Sequence, residues 1–341
     1  MTQQARLLMA ATAAFILSLV AQAAAQDADW AKVIEAAKKE GKVVLYTSTQ
    51  GVEFHNQALR SFQAKYGIAT ELLDVRASEL DQRIQTEQTS GRYVGDVLQH
   101  GEASALRHEQ NGVFQPYISL PNFQNLRQIF KEKSSKVRVP IYVSAYGLLI
   151  NSELVKGEDE PKSWRDLLNP KWKGKIMADD FRALGGGSVW FDVMFGALGR
   201  EFHEKLAQQN IVFSRDVGND QRRVARGEYP MRLPQHYSNF PQLEGLPVKL
   251  VQPVEGASYV QFDTGVLKNA PHPNAARLFI DHYIGETVQV IYANNALVPV
   301  AMGISEKADP RWRSITGAKL LGTSAPERLD AMLAAAKEIY K

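Results

Sequence analysis

A run of three glycines followed by a serine is the local arrangement best suited to binding a charged solute. The stretch LGGGSVW (184–190) contains Gly186, Gly187 and Ser188, and it separates the apolar segment KIMADD from a helical pattern rich in aromatic residues. Glycines at the start of a helix leave backbone N–H groups uncovered where partial positive charge collects, so the tract favours an anion. A plain surface turn is the alternative interpretation.

Two further features extend this hypothesis to an anion-binding cleft. Arg182 lies shortly before the glycine tract, and its planar guanidinium suits two-point binding of a carboxylate or phosphate. A predicted strand exits into hydroxyl and amide side chains that precede a helix, so free N–H groups gather there as well. A solvated arginine and an ordinary helix cap are the alternatives. The strand exit comprises Thr47, Ser48, Thr49 and Gln50.

Two ring-bearing side chains are further candidates for the same cleft. His100 follows the predicted strand GDVLQ, although a structural histidine is the alternative. Tyr146 lies in the apolar, strand-like run YVSAYGLLIN of a second α/β unit. We expect both residues to contact the ligand.

The sequence does not indicate catalytic machinery, and we expect neither an enzyme nor a cofactor. It contains no GxGxxG, GxxxxGK[ST] or GxSxG motif, and its histidines lack HExxH or HxH spacing. Asp179 and Asp180 are adjacent on a predicted strand, so their side chains point to opposite faces and do not share a substrate. Trp190, Met194 and Leu198 recur every four positions, which indicates a helix face packed in the core.

The elements that position these residues alternate between helix and strand. A helix ended by Gly41 precedes the strand KVVLYTST; a helix up to Tyr66, the strand IATELLDV, a helix through Leu80 and Ile84, and the strand around GDVLQHG follow. This order predicts α/β architecture with mostly parallel sheets flanked by helices. The stretch from Val113 to Val139, with the basic run KEKSSK, is predicted to be a surface loop.

Composition excludes several classes of protein. The chain has 40 lysines and arginines against 37 acidic residues, a net charge of +3, and no basic stripe interleaved with aromatic residues, so we expect no nucleic-acid partner. It contains no cysteine, which excludes disulfides and thiol nucleophiles. Its length favours two lobes, with a cleft between them as the ligand site. We expect a monomer.

The first 25 residues have the layout of a secretory signal peptide. Arg6 precedes an uncharged apolar stretch from Leu7 to Val20, and the small residues Ala23 to Ala25 follow. We expect cleavage after Ala25, and an exported, cysteine-free protein of this size is typical of the bacterial periplasm.

Three motifs resemble the bacterial extracellular solute-binding proteins related to the periplasmic ferric-iron-binding proteins of ABC importers. They are SWRDLLNPKWKGKI (163–176), GVLKNAPHPNAARLFIDHYIG (265–285) and NALVPV (295–300). The resemblance implies a type II periplasmic binding fold with two lobes, 26–142 plus 260–305 and 143–259 plus 306–341, and hinge crossovers between them. It also implies closure on a small-molecule ligand and delivery to an ABC permease in the inner membrane.

The chain departs from the iron-binding pattern in one loop. Ferric binders of this family place adjacent tyrosines where LPQHYSNF has His236 and Tyr237, and one phenolate leaves most of a trivalent charge uncompensated. We therefore predict a small anionic organic solute, of carboxylate, phosphate or phosphonate type, and no metal. Ferric iron held by Tyr237 and His236 is the alternative, and an exported hydrolase using Asp180, His236 and Ser188 is the alternative of another class.

Overall fold

Strands and helices alternate in two α/β units that share two long strands. The computed structural model describes residues 29–49, 52–117 and 119–341. The predicted signal peptide and Gln50 lie outside these ranges. None of the helices in the described ranges combines the length and the apolar character that crossing a bilayer requires.

The first unit begins with helix α1 (29–40) and continues as an alternation of strands and helices. Its further elements are β1 (Lys42–Thr47), α2 (Glu53–Tyr66), β2 (Ala69–Asp74), α3 (Ala77–Ser90), β3 (Val97–Gly101), α4 (Glu102–Gln110), β4 (Phe114–Gln115) and α5 (Gln128–Lys133). Strand β1 pairs in parallel with β2 and β3, so the predicted parallel arrangement is confirmed here.

The chain then enters the second unit through the 13-residue strand β5 (Val139–Asn151). The second unit contains β6 (Ile176–Asp179), α6 (Gly186–Leu198), α7 (Arg200–Ala207), β7 (Val212–Ser214), α8 (Val217–Ala225), β8 (Met231–His236) and β9 (Val248–Val251). Strand β6 pairs in parallel with β7 and β8.

The chain returns through strand β10 (Ala257–Leu267) and ends with helices that cover both units. The remaining elements are α9 (Pro273–Ile284), α10 (Glu286–Asn294), β11 (Val298–Pro299), α11 (Arg313–Thr316), β12 (Leu320–Gly322) and α12 (Leu329–Ile339). The strands follow the order β2-β1-β3-β10-β5-β8-β6-β7, with β4, β9, β11 and β12 paired at the sides.

Strands β5 and β10 connect the two halves of this sheet. The first half of β5 pairs antiparallel with β10, from Tyr259 opposite Ala145 to Thr264 opposite Val139. Its second half pairs antiparallel with β8 and β9. Every residue of β5 is buried, because helices or neighbouring strands cover it along its whole length.

Two hydrophobic cores flank the crossing strands. The first is built from β1, α2, β5, α9 and α10, and the second from β6, α6, β8 and α12. Trp190 and Met194 are fully buried in the second core, which confirms the predicted apolar face of α6. Trp312 lies in the first core and Tyr340 in the second, so the last 36 residues of the chain contribute to both cores. The lobe boundaries given above remain a prediction.

The predicted surface loop from Val113 to Val139 is wrong in one respect. This stretch contains β4, a 3-10 helix (Pro121–Asn125) and α5, and Phe130 is fully buried in the first core. Helix α5 has six residues, so it carries too few turns to produce an apolar period that is recognisable in the sequence.

Candidate ligand-binding cleft

A cavity of about 800 Å³ separates the two units, and we call it the cleft. It is lined by Ser48, His100, Gly101, Glu102, Ala103, Ser104, Leu106, Lys133, Tyr146, Leu184, Gly185, Gly186, Ser188, Val189, Val260, Gln261, Phe262, Thr323, Ser324, Ala325, Glu327 and Leu329. Strands β1 and β3 end at the cleft, where Ser48 and Gly101 line it, as expected for a ligand site outside the carboxyl ends of parallel strands. Helices α4 and α6 begin there, so both turn their positive ends toward it.

The glycine tract forms hydrogen bonds within the protein at the start of α6. The Gly187 N–H donates to Asp179 Oδ2 over 2.8 Å, and Ser188 Oγ donates to the Gly185 carbonyl over 3.0 Å. A Cβ atom on Gly187 would lie 2.6 Å from the Asp179 carbonyl oxygen, so only glycine allows α6 to start this close to β6. Gly186 and Ser188 line the cleft, whereas Gly187 does not belong to the lining residues.

Arg182 is engaged away from the cleft. Its Nε lies 2.8 Å from Asp180 Oδ1, and its Nη1 donates to the Tyr340 carbonyl over 3.2 Å. The guanidinium carbon lies 4.6 Å from the centre of the Phe213 ring. Because Arg182 is absent from the cleft lining and its guanidinium already has partners, we do not propose it as a ligand clamp.

The polar strand exit after β1 reaches the cleft in part. Ser48 lines the cleft. Thr47 is fully buried, and its hydroxyl lies 3.3 Å from that of Thr49. The two threonine hydroxyls therefore bond to each other at the strand exit. Among the residues of this group that the structure describes, Ser48 is the one that lines the cleft.

His100 lines the cleft as an uncharged ring. Its Nδ1 accepts a hydrogen bond from the Gly101 N–H over 2.9 Å, and its Nε2 lies 3.8 Å from Asp81 Oδ1 without a hydrogen-bond partner. Burial lowers the pKa of His100 to about 4, so the imidazole is neutral at physiological pH.

Tyr146 and His236 meet where β5 passes from one unit to the other. Tyr146 lines the cleft, and its ring packs edge-on against His236 with centroids 4.7 Å apart. His236 Nδ1 lies 2.6 Å from Ser144 Oγ and 2.8 Å from Ser238 Oγ. Burial lowers the pKa of His236 to about 4 and raises the pKa of Tyr146 well above its ordinary value.

Tyr237 lies in the first core rather than in the cleft lining. It is fully buried, its ring packs against Gly147, and its hydroxyl has no hydrogen-bond partner. Burial raises the pKa of Tyr237 above its ordinary value, which disfavours the phenolate that an iron ligand requires. Among the cleft-lining residues that the structure describes, Tyr146 is the one tyrosine.

Lys133 lines the cleft but was not predicted to do so, because the run KEKSSK was interpreted as part of a surface loop. Its Nζ lies 3.0 Å from Glu102 Oε1 and 5.5 Å from the centre of the Tyr259 ring. Burial alone lowers the pKa of Lys133, but Glu102 and Tyr259 outweigh burial and raise it above the ordinary value. The cleft therefore contains a fully charged ammonium group.

A C-terminal stretch forms part of the cleft and is also not identifiable from the sequence. Residues 323–325, 327 and 329 line it, and Ser324 Oγ is buried without a hydrogen-bond partner. Much of the remaining lining is apolar. One of these apolar side chains, Leu184, is 73% exposed in this structure. Among the residues that the structure describes, no group of three or more His, Asp or Glu side chains is arranged to hold a metal ion.

Comparison with known proteins identifies the family to which this chain belongs. The family model for bacterial extracellular solute-binding proteins matches residues 96–315, and the chain belongs to this family. Iron uptake protein A1 of Synechocystis sp. is 26% identical over 300 residues, which cover 80% of each chain.

Solved structures show the same fold at low sequence identity. Iron-bound HitA from Pseudomonas aeruginosa has a TM-score of 0.64 at 20% identity, over 87% of this chain and 99% of HitA. AfuA from Actinobacillus pleuropneumoniae, solved with exogenous fructose-6-phosphate bound, has a TM-score of 0.61 at 20% identity, over 88% of this chain and 96% of AfuA. The fold is thus that of the type II periplasmic binding proteins, and the chain is a bacterial extracellular solute-binding protein.

Proposed function

We propose that this protein captures a small organic solute with one acidic group, of carboxylate, phosphate or phosphonate type, in the cleft. The observation that carries the proposal is the charged Lys133 at the cleft, 3.0 Å from Glu102. An incoming anion would replace Glu102 as the partner of the ammonium group. The positive ends of α4 and α6 and the hydroxyls of Ser48 and Ser104 support the same group from both units.

The rest of the cleft suits an apolar body attached to that acidic group. The apolar side chains of Leu106, Val189, Val260, Phe262 and Leu329 line it. A cavity of about 800 Å³ holds a drug-sized molecule. Glu102 and Glu327 also line the cleft, and their negative charge disfavours a polyanion such as citrate.

Ferric iron is the second candidate, because the similar proteins include an iron uptake protein and an iron-bound structure. A trivalent cation requires several anionic oxygen ligands. The cleft offers Tyr146, Glu102 and Glu327, whereas Tyr237 lies in the first core. The donor set therefore supports the organic anion better than iron.

The hydrolase alternative lacks an assembled nucleophile and base. Ser188 Oγ bonds to the backbone of Gly185, His236 Nδ1 contacts the hydroxyls of Ser144 and Ser238, and Asp180 is paired with Arg182. A nucleophile must lie within hydrogen-bond reach of its base, and these three residues have separate partners. We do not propose catalysis.

A thermal-shift screen followed by calorimetric titration tests the ligand class. The panel contains phenyl phosphate, phenylphosphonate, benzoate, fructose 6-phosphate, citrate and ferric citrate. We expect the single-headed organic anions to raise the unfolding temperature, with about 2.7 kcal/mol of added stability at a hundredfold excess over Kd. Stabilisation by ferric citrate alone, with a visible phenolate absorption band, would instead establish the iron alternative.

We further propose export by a cleavable signal peptide, action as a monomer and closure of the two units on the ligand before delivery to the permease. Ligand-driven closure requires a higher affinity for the closed form than for the open form. Mass spectrometry of the protein from the periplasmic fraction should show a chain that begins at Gln26. A chain that retains Met1 would contradict the cleavage.

A further inference from the structure

The C-terminal segment, defined here as residues 323–329, connects two elements of the second unit. Before it, β12 pairs with β10 at Ala257 and Ser258. After it, α12 packs against α6, the helix that begins with the glycine tract. The segment is therefore held at both ends, and five of its residues line the cleft.

Asp192 anchors the middle of this segment. It lies in α6, is only 1% exposed, and has a carboxylate that accepts a hydrogen bond from the Ala325 N–H over 3.3 Å. The same carboxylate is paired with Arg328 Nη2, 3.2 Å from its Oδ1. Because a buried carboxylate is costly unless it is paired and hydrogen-bonded, these contacts tie the segment to α6.

Ser324 precedes the anchored residue and carries an unused polar group. Its hydroxyl oxygen is buried and has no hydrogen-bond partner, while the residue itself lines the cleft. A buried hydroxyl normally has a partner, since leaving one unpaired costs free energy. An oxygen atom of a bound acidic group would supply this partner.

We propose that the C-terminal segment is a recognition wall of the cleft, in which the Ser324 hydroxyl bonds the acidic group of the ligand and Asp192 acts as a positioning residue. Asp192 acts through Ala325 and Arg328, and it does not itself line the cleft. This inference rests on the proposed function, since it specifies how the same cleft recognises its anion.

Titration with phenyl phosphate tests the recognition role. We expect Ser324→Ala to weaken the affinity about tenfold, because a hydrogen bond to a charged group is lost, while the ligand-free unfolding temperature stays unchanged. Ser152→Ala, outside the cleft lining, is the matched control and should bind as the wild type does. An affinity of Ser324→Ala within about threefold of the wild type would overturn the recognition role.

Hydrogen exchange tests the positioning role independently of any ligand. We expect Asp192→Asn to accelerate exchange of the Ala325 amide about tenfold or more and to weaken phenyl phosphate binding. The double variant Asp192→Asn/Ser324→Ala should then bind no more weakly than Ser324→Ala alone, since both changes act through one contact. Additive losses, or faster exchange with unchanged affinity, would contradict positioning through Ser324.

The two proposals fail in different ways. If the wild-type protein binds no anion of the panel, the proposed function fails and the recognition role of Ser324 fails with it. If the wild-type protein binds phenyl phosphate and Ser324→Ala binds it equally well, the proposed function stands and only the recognition wall is lost.

Discussion

At the scale of single residues, the ion pair of Lys133 and Glu102 is the feature on which the proposed ligand class depends. The two groups are partly buried, with 28% and 18% of their side chains exposed, so their interaction is less screened than a surface pair. In the proposed function, a ligand's acidic group would take the position that the carboxylate of Glu102 now occupies beside Lys133. We therefore expect Glu102 to compete with the ligand for the ammonium group.

Opposite effects are expected from the two members of this pair. Lys133→Met should weaken phenyl phosphate binding by about tenfold or more, because a charge-assisted hydrogen bond is lost. Glu102→Gln should strengthen binding, because the competing carboxylate is removed. Isothermal titration measures both, with Lys131→Met on the same helix as the control. Parallel losses in both variants would show that the pair has only a structural role.

Residue types were easier to predict than their partners. A strand exit with hydroxyls and a glycine tract near a helix start are visible in the sequence, and Ser48, Gly186 and Ser188 do line the cleft. Arg182 has the right chemistry for a clamp, but Asp180, two positions earlier, binds it. Lys133 contacts Glu102, 31 positions earlier, and Ala325, next to Ser324, contacts Asp192, 133 positions earlier. No local pattern in the sequence reveals contacts over such separations.

At the scale of elements, the start of α6 shows why the glycine tract exists. The Gly187 N–H donates to the carboxylate of Asp179 on the preceding strand, so this N–H group already has an anionic partner within the protein. The three glycines 185–187 have two roles: Gly187 allows α6 to pack closely on β6, and Gly186 lines the cleft. The tract thus serves packing and lining together.

Two glycines of α6 should respond oppositely to the same substitution. Gly187→Ala would place Cβ 2.6 Å from the Asp179 carbonyl oxygen, and we expect a loss of about 1–3 kcal/mol in the free energy of unfolding. Gly196→Ala meets nothing within 4 Å and should gain about 0.5–1 kcal/mol from the higher helix propensity of alanine. Urea denaturation measures both. Equal stability of the two variants would contradict the close approach at Gly187.

Helices and strands with a strong hydrophobic pattern were predicted well, whereas short elements were not. Helices α1, α2 and α3 and strands β1 to β3 lie close to their predicted positions. The helices and strands β1 and β3 each bury apolar residues, whereas β2 is only partly covered. Helix α5 and the C-terminal segment depend on tertiary contacts, such as Phe130 in the first core and Ala325 on Asp192.

At the scale of the whole molecule, buried histidines make the fold sensitive to acid. Burial lowers the pKa of five of them to values between about 3 and 4: His55, His100, His203, His236 and His282. Between these values and the ordinary histidine pKa, the unfolded chain binds protons that the native state does not. Each such group then stabilises the native state above its ordinary pKa and loses that contribution as the pH falls.

Stability should therefore decline as the pH falls from about 6.5 to 4, by up to about 1.4 kcal/mol per pH unit for each histidine. Burial raises the pKa of Asp263 and Asp281 to about 6, so the native state takes up protons there and partly offsets the decline. Urea midpoints measured between pH 7 and pH 4 check this. A constant midpoint over that range would mean that the histidines are accessible to protons in the native state.

The shared strand β5 has a consequence for how the molecule comes apart. Its residues 139–145 complete one half of the sheet and 146–151 the other, so neither half can be excised with an intact set of strands. Unfolding of either half would remove backbone hydrogen-bond partners from β5, and β5 is also a strand of the other half. Despite having two cores, the protein is therefore expected to lose its structure in one cooperative step, visible in calorimetry as a single heat-absorption peak.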